Sequence, residues 1–114
     1  MTVREMARAL GLTAVHLADG GRPVACAYTS DLLSDVMGNA GDGAVLITIQ
    51  AHKNTAAVAV LKESPAVIIC NNRSVPEDFA AALKAEGISL FVSAENQFTL
   101  SGKLYALLHG SGPW

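Results

Sequence analysis

Three short polar clusters in this 114-residue chain hold the residue types that bind ligands or move protons. Thr48, Gln50, His52, Lys53 and Asn54 close one apolar run. Asn71, Asn72 and Arg73 close a second, and Ser93, Glu95 and Asn96 close a third. Amides and hydroxyls donate hydrogen bonds, and Lys53, Arg73 and His52 add positive charge, so an anionic ligand such as a nucleotide phosphate or a carboxylate is the natural occupant. A histidine beside a cation is also the kit of a small enzyme, with His52 as the base. The same side chains have commonplace uses. Asn71, Asn72, Ser74 and Asn96 suit turns and helix caps, and His52 suits a surface turn.

Asp31 and Asp35 lie four apart, one helical turn on the same face, where paired carboxylates can hold a cation. A solvated helix face is the better reading, with Asp31 placed in the first turn to complement the helix dipole. Cys26 and Cys70 are single residues in apolar runs without C-x-x-C spacing, which reads as two reduced core thiols and excludes a disulfide framework. The chain contains no G-x-x-x-x-G-K-[ST], G-x-G-x-x-G, G-x-S-x-G or H-E-x-x-H pattern, so the familiar phosphate cradles, nucleophile elbow and zinc helix are missing. A Cys70–His52 nucleophile requires that the end of the strand carrying Cys70 meet His52, and nothing in the spacing brings them together.

The elements that would position these clusters follow from periodicity. Thr2 and Glu5 form a capping box ahead of Val3, Met6, Ala7 and Leu10, one apolar helix face that Gly11 ends. Residues 14–18 and 23–28 read as strands joined through Asp19-Gly20-Gly21, an antiparallel hairpin. Ser30 and Asp31 open a helix whose apolar face is Leu32, Leu33, Val36, Met37 and Ala40. Residues 44–50, 66–70 and 88–92 are continuous apolar runs of strand length. A helix over 54–62, apolar nearly all round, a helix behind the capping box Ser74–Glu77, and a helix through Leu100, Leu104, Leu107 and Leu108 follow them in turn. Strand–helix units beginning at residues 44, 66 and 88 predict parallel strands with crossover helices. The expected fold is therefore a three-layer α/β/α sandwich on a mixed, mostly parallel sheet of about five strands, with the hairpin as its antiparallel part. Ligands of such sheets sit at the strand carboxyl ends, where all three polar clusters fall.

Composition agrees with one domain over 1–109 and a loose tail over 110–114. Hydrophobic residues make up 51% and charged residues 16% of the chain. With mean hydropathy of +0.35, that balance fits a sheet buried on both faces or extra surface buried in a homodimer. Net charge is −2, with eight basic residues scattered along the chain, so nothing supports a nucleic-acid partner. No apolar run reaches the ~18–20 residues of a membrane span, and the N-terminus has no signal-peptide core, making a cytoplasmic location the expectation.

The segment Tyr28-Thr29-Ser30-Asp31-Leu32-Leu33-Ser34-Asp35-Val36-Met37-Gly38-Asn39-Ala40, followed by Leu46 to Asn54 and Ala56-Ala57-Val58-Ala59, resembles the DRTGG domain family over nearly the whole chain. The naming motif would fall at Gly21 to Ala27, where only Arg22 survives, with Gly21 for the aspartate and Ala25-Cys26-Ala27 for Thr-Gly-Gly. The resemblance implies a fold similar to the N-terminal domain of HPr kinase/phosphorylase and a regulatory or oligomerising role, catalysis belonging to other domains. Stand-alone family members accompany hydrogenase and electron-transfer components, which implies as an alternative an adaptor in a redox or kinase complex. An iron–sulfur cluster is not expected, since two isolated cysteines cannot supply the usual four thiolates. The resulting expectation is a non-catalytic ligand-sensing module without cofactor or metal, and the candidate site is Thr48, Gln50, His52, Lys53, Asn54, Asn71, Asn72, Arg73, Ser93 and Glu95.

Overall fold

The structure, a computed structural model, describes residues 1–110. Among these residues five helices and five strands follow in the order α1 (Val3–Leu10), β1 (Thr13–His16), β2 (Ala27–Thr29), α2 (Leu33–Asn39), β3 (Val45–Thr48), α3 (Lys53–Leu61), β4 (Ala66–Ile69), α4 (Glu77–Ala85), β5 (Ser89–Val92) and α5 (Gln97–His109). The sheet order is β1-β5-β4-β3-β2. β2 to β5 are parallel and β1 is antiparallel to β5.

Strand alternation divides the core into two layers. Val45, Ile47, Ala66, Ile68, Cys70 and Phe91 point to one face and pack beneath Val3, Met6 and Leu10 of α1 and Leu100 and Leu104 of α5. Leu46, Val67, Ile69 and Leu90 point to the other, against Val36 of α2, Ala56 and Ala59 of α3, and Phe79 and Leu83 of α4. The three-layer α/β/α sandwich with a mixed, mostly parallel sheet is as expected. β3 and β4 are buried at every position, which is why their sequences read as unbroken apolar runs. The capping box of α1 forms as written: the Thr2 N–H donates to Glu5 Oε1 (2.8 Å) and the Glu5 N–H to Thr2 Oγ1 (3.1 Å). Gly11 ends the helix at φ 62°.

The hairpin expectation is overturned. β1 and β2 lie on opposite edges of the sheet, and β2 is a three-residue strand parallel to β3, in register Thr29↔Ile47. The turn at Asp19–Gly21 exists, with the Gly21 N–H on Asp19 Oδ1 (3.1 Å), but it leads away from β1. The chain after it pairs with the start of α1 instead: Arg4 N–H donates to Gly20 O, Val3 N–H to Arg22 O, and Val24 N–H to Met1 O. A side chain at Gly20 would require the Arg4 guanidinium, 2.6 Å from where its Cβ would lie, to swing aside. Arg22, the surviving motif residue, donates to the Glu63 carbonyl (2.8 Å) and so fastens this connection to the end of α3. The antiparallel part of the sheet is therefore β1 alone.

Four local expectations also change. α2 starts at Leu33, so Ser30 and Asp31 precede it and Asp31 does not share a helix face with Asp35. α4 starts after Pro76 with no side-chain cap, so Ser74–Glu77 is not a capping box. α3 is not buried all round: Thr55, Ala56, Val58 and Ala59 face inward, while Leu61 is 66% exposed. Strand 44–50 narrows to Val45–Thr48. Of the proposed tail, 111–114 lies outside the described residues. Among the described residues no helix is long and apolar enough to cross a membrane.

Candidate functional site

The parallel register brings the polar clusters to one sheet end, where they separate into a groove and a buried node. The groove, about 430 Å³, runs between the β3–α3 and β4–α4 loops and is lined by Ile49, Gln50, Ala51, His52, Asn72, Arg73, Ser74 and Pro76. His52 is the N-cap of α3, and its Nδ1 accepts the Asn54 N–H (3.0 Å). In the neutral ring that bond leaves the proton on Nε2, so His52 offers a donor outward. Arg73 makes no hydrogen bond or ion pair among the described residues. Its guanidinium, the His52 ring, the Gln50 and Asn72 amides, the Ser74 hydroxyl and the start of α3 make a donor-rich surface suited to an anion.

Behind the groove, Asp31 ties three elements together. Its Oδ1 accepts from Thr48 Oγ1 (2.9 Å) and the Ile49 N–H (3.0 Å), and its Oδ2 from Gln97 Nε2 (3.1 Å). Thr48 Oγ1 in turn accepts the Gln50 N–H (3.1 Å). Burial pushes the Asp31 carboxyl up, but the bonds from Ile49, Gln97 and Thr48 and the charge of Arg73 outweigh it and hold it below its ordinary value. Asp35, further along, takes the Tyr28 hydroxyl (2.9 Å) and the Asn39 amide (2.9 Å), bonds that lower its pKa.

Asn71 and Asn72 adopt positive φ (63° and 50°), which asparagine tolerates, and this turns their N–H groups to Glu95 O and Ser93 O. The turn sends Asn72 and Arg73 into the groove and leaves Asn71 outside its lining. Ser93 is buried, its hydroxyl accepting the Glu95 N–H (3.1 Å), and Glu95 pairs with Lys103 on α5. Lys53 lies outside the groove lining, 4.0 Å from Asp78. Of the predicted residues the groove thus unites Gln50, His52, Asn72 and Arg73. Thr48, Asn54, Asn71, Ser93 and Glu95 are given to supporting bonds. Asp31 and Gln97, which form the node behind the groove and do not line it, are the residues that sequence reasoning missed. The signal that finds Asp31 is register: once residues 27–29 run parallel to β3, residue 31 must arrive beside Thr48 and Ile49.

Cys70 is fully buried on the α1/α5 face, and His52 caps a helix on the other, so the two do not form a pair. Burial, then the carboxylates of Asp31 and Glu95, push the Cys70 thiol up to about 11. We expect native protein at pH 8 to consume one equivalent of a thiol reagent at half-buried Cys26, and a second only after denaturation. Rapid modification of Cys70 in the native state, located by peptide mass mapping, would contradict this placement. No group of three or more His, Cys, Asp or Glu side chains among the described residues is arranged to hold a metal ion.

An α/β/α sandwich with a donor-lined groove at its strand carboxyl ends is thus the class of module this chain forms. Among solved structures, it is similar to the crystal structure of the CBS and DRTGG domains of the regulatory region of Clostridium perfringens pyrophosphatase, complexed with the activator diadenosine tetraphosphate. The TM-score is 0.72 at 11% sequence identity, over 90% of this chain and 45% of that one. The fold is therefore DRTGG-like, in agreement with the resemblance read from the sequence, and the chain spans less than half the length of that neighbour. No protein-family model and no curated protein matches the sequence.

Proposed function

We propose that this protein is a non-catalytic regulatory module that senses a nucleotide-like anion in the groove between His52 and Arg73. The observation that carries the reading is Arg73, a planar cation without an ion pair among the described residues, facing a groove whose other polar side chains can all donate and include no carboxylate. The groove volume lies within the range of small-ligand sites. That the structural neighbour is a regulatory region complexed with a nucleotide activator adds weight to the regulatory half of the reading. Cys70 is buried on the opposite face and the His52 Nδ1 is engaged in a helix cap, which favours recognition over catalysis.

The test is a thermal-shift series with ATP, diadenosine tetraphosphate and pyrophosphate. A ligand at 100 times its Kd should add about 2.7 kcal/mol of stability and raise Tm. Arg73→Ala should weaken the effective ligand at least tenfold, and Lys53→Ala less. No shift with any of the three, or an unchanged shift in Arg73→Ala, would refute the assignment.

A homodimer is the second part of the reading, and exposed apolar residues of α5 support it. Phe98 is 89% exposed and Tyr105 53% exposed, on either side of Gly102. Such apolar exposure on one helix face favours an interface. Light scattering at micromolar concentration should give twice the chain mass, and Phe98→Lys should give the monomer. A monomeric wild type would remove this part.

A further inference from the structure

We propose that Asp31 couples the groove to the first turn of α5, so that anion binding at Arg73 is felt at the exposed apolar face of that helix. The inference rests on the groove reading and adds to it a route and a junction.

The route is an unbroken series of hydrogen bonds. The Gln50 N–H, at the groove wall, donates to Thr48 Oγ1, and that hydroxyl donates to Asp31 Oδ1. The other carboxylate oxygen, Oδ2, accepts from Gln97 Nε2. Gln97 opens α5, and the next residue is Phe98, with Gly102 and Tyr105 continuing along the helix beside Thr29 and Ser101. A second tie, Thr29 Oγ1 to Ser101 Oγ (2.7 Å), holds the same helix to edge strand β2. Asp31 is the one member bonded to both the β3 end and α5.

Asp31 is also the member that an anion would disturb. Its ionised form is favoured in part by the charge of Arg73. An anion paired with Arg73 offsets that charge and places a like charge behind the carboxylate. Displacement of the carboxylate by that repulsion would break its bond to Gln97, whose amide is already incompletely satisfied, its Oε1 being buried without a partner among the described residues. A ligand shifts an equilibrium only by its differential affinity for the two states, and here the difference is the repulsion between bound anion and Asp31.

The experiment uses the full chain with Trp114→Phe as background and Phe98→Trp as a reporter on the exposed face, titrated with ATP. Calorimetry gives binding; fluorescence gives the response of α5. The expected result is a saturable emission change with the same midpoint as the heat. Asp31→Asn should still bind, with equal or tighter affinity because a like charge is gone, while the emission change falls at least fivefold. Gln97→Leu, which removes the amide and leaves the carboxylate, should do the same and serves where Asp31→Asn folds poorly. Binding with a flat signal in the reporter protein overturns the coupling and leaves the groove intact. A full signal in both variants overturns the role of Asp31. Absence of binding overturns the groove reading, and the coupling with it.

Discussion

Asp31→Ala is expected to lower the unfolding free energy by about 3 kcal/mol, a large loss for a polar residue outside any helix or strand. The substitution strands three donors at once. Thr48 Oγ1 belongs to a fully buried residue, the Ile49 N–H is at the end of a buried strand, and Gln97 Nε2 sits at the half-buried start of α5. Each buried donor left unpaired costs about 1–3 kcal/mol, and Gln97 recovers part of its share from water. Asp31→Asn should cost only about 1 kcal/mol, because its oxygen keeps the Thr48 and Ile49 bonds and its amide meets Gln97 Oε1 once that group turns over. Urea denaturation of both variants measures the difference. Equal losses would mean that charge, not the bonding pattern, is what the node contributes.

The same carboxyl gives a pH dependence with a defined sign. Its pKa in the folded protein lies below its ordinary value of 3.8, so the folded state favours the ionised form. Its contribution is present in full above 3.8 and is lost as pH falls through the lower folded value. Asp35 and Glu5 are also held low, Asp35 chiefly by the Tyr28 hydroxyl and Glu5 by the Thr2 N–H, so acid destabilisation has several sources. Asp31→Asn should flatten part of that acid limb and leave neutral-pH stability near the value above. An unchanged acid limb would contradict the assignment.

Phe91→Ala should cost more, about 3–5 kcal/mol. Phe91 is 1% exposed, stands opposite Ala14 on β1 and Ile68 on β4, and fills the layer beneath α1 and α5 with Met6, Leu100 and Leu104. Against a typical domain stability of about 5–15 kcal/mol, such a loss brings the protein close to unfolding at 37 °C. Phe98→Ala is the matched control when measured on protein diluted to the monomer: the same atoms leave a side chain that is 89% exposed on the single chain, and stability should change by no more than about 0.5 kcal/mol. A comparable loss from both in the dilute protein would contradict the exposed placement of Phe98 on the single chain.

What the sequence reveals and what it hides divide along a physical line. β3, β4 and β5 announce themselves because strands buried on both faces are apolar at nearly every position, Thr48 and Ser89 apart, and the helices between them are punctuated by Pro65, Gly87 and their own periodicity. The edges were harder. β2 is three residues long and only half-buried, so its composition says little about its partner, and the turn residues at Asp19–Gly21 describe a local bend without telling where the chain goes next. That single misreading also hid Asp31. With 23–28 placed in a hairpin, Asp31 is a helix-start residue facing solvent; with β2 parallel to β3, it is carried to Thr48. Contacts across 17 and 66 positions, as Asp31 makes with Thr48 and Gln97, leave no mark in local patterning. Gln50, His52, Asn72 and Arg73 were legible because each lies in the loop that follows a strand and strand ends converge in any parallel sheet.

The central claim is that the groove beside Arg73 binds a nucleotide-like anion, and an amide-resolved NMR titration with ATP tests it most directly. The account predicts saturable shifts at Gln50, Ala51, His52, Asn72, Arg73 and Ser74 that share one dissociation constant and vanish together in Arg73→Ala. No shifts at millimolar ATP, or shifts confined to residues away from the β3–α3 and β4–α4 loops, would contradict it.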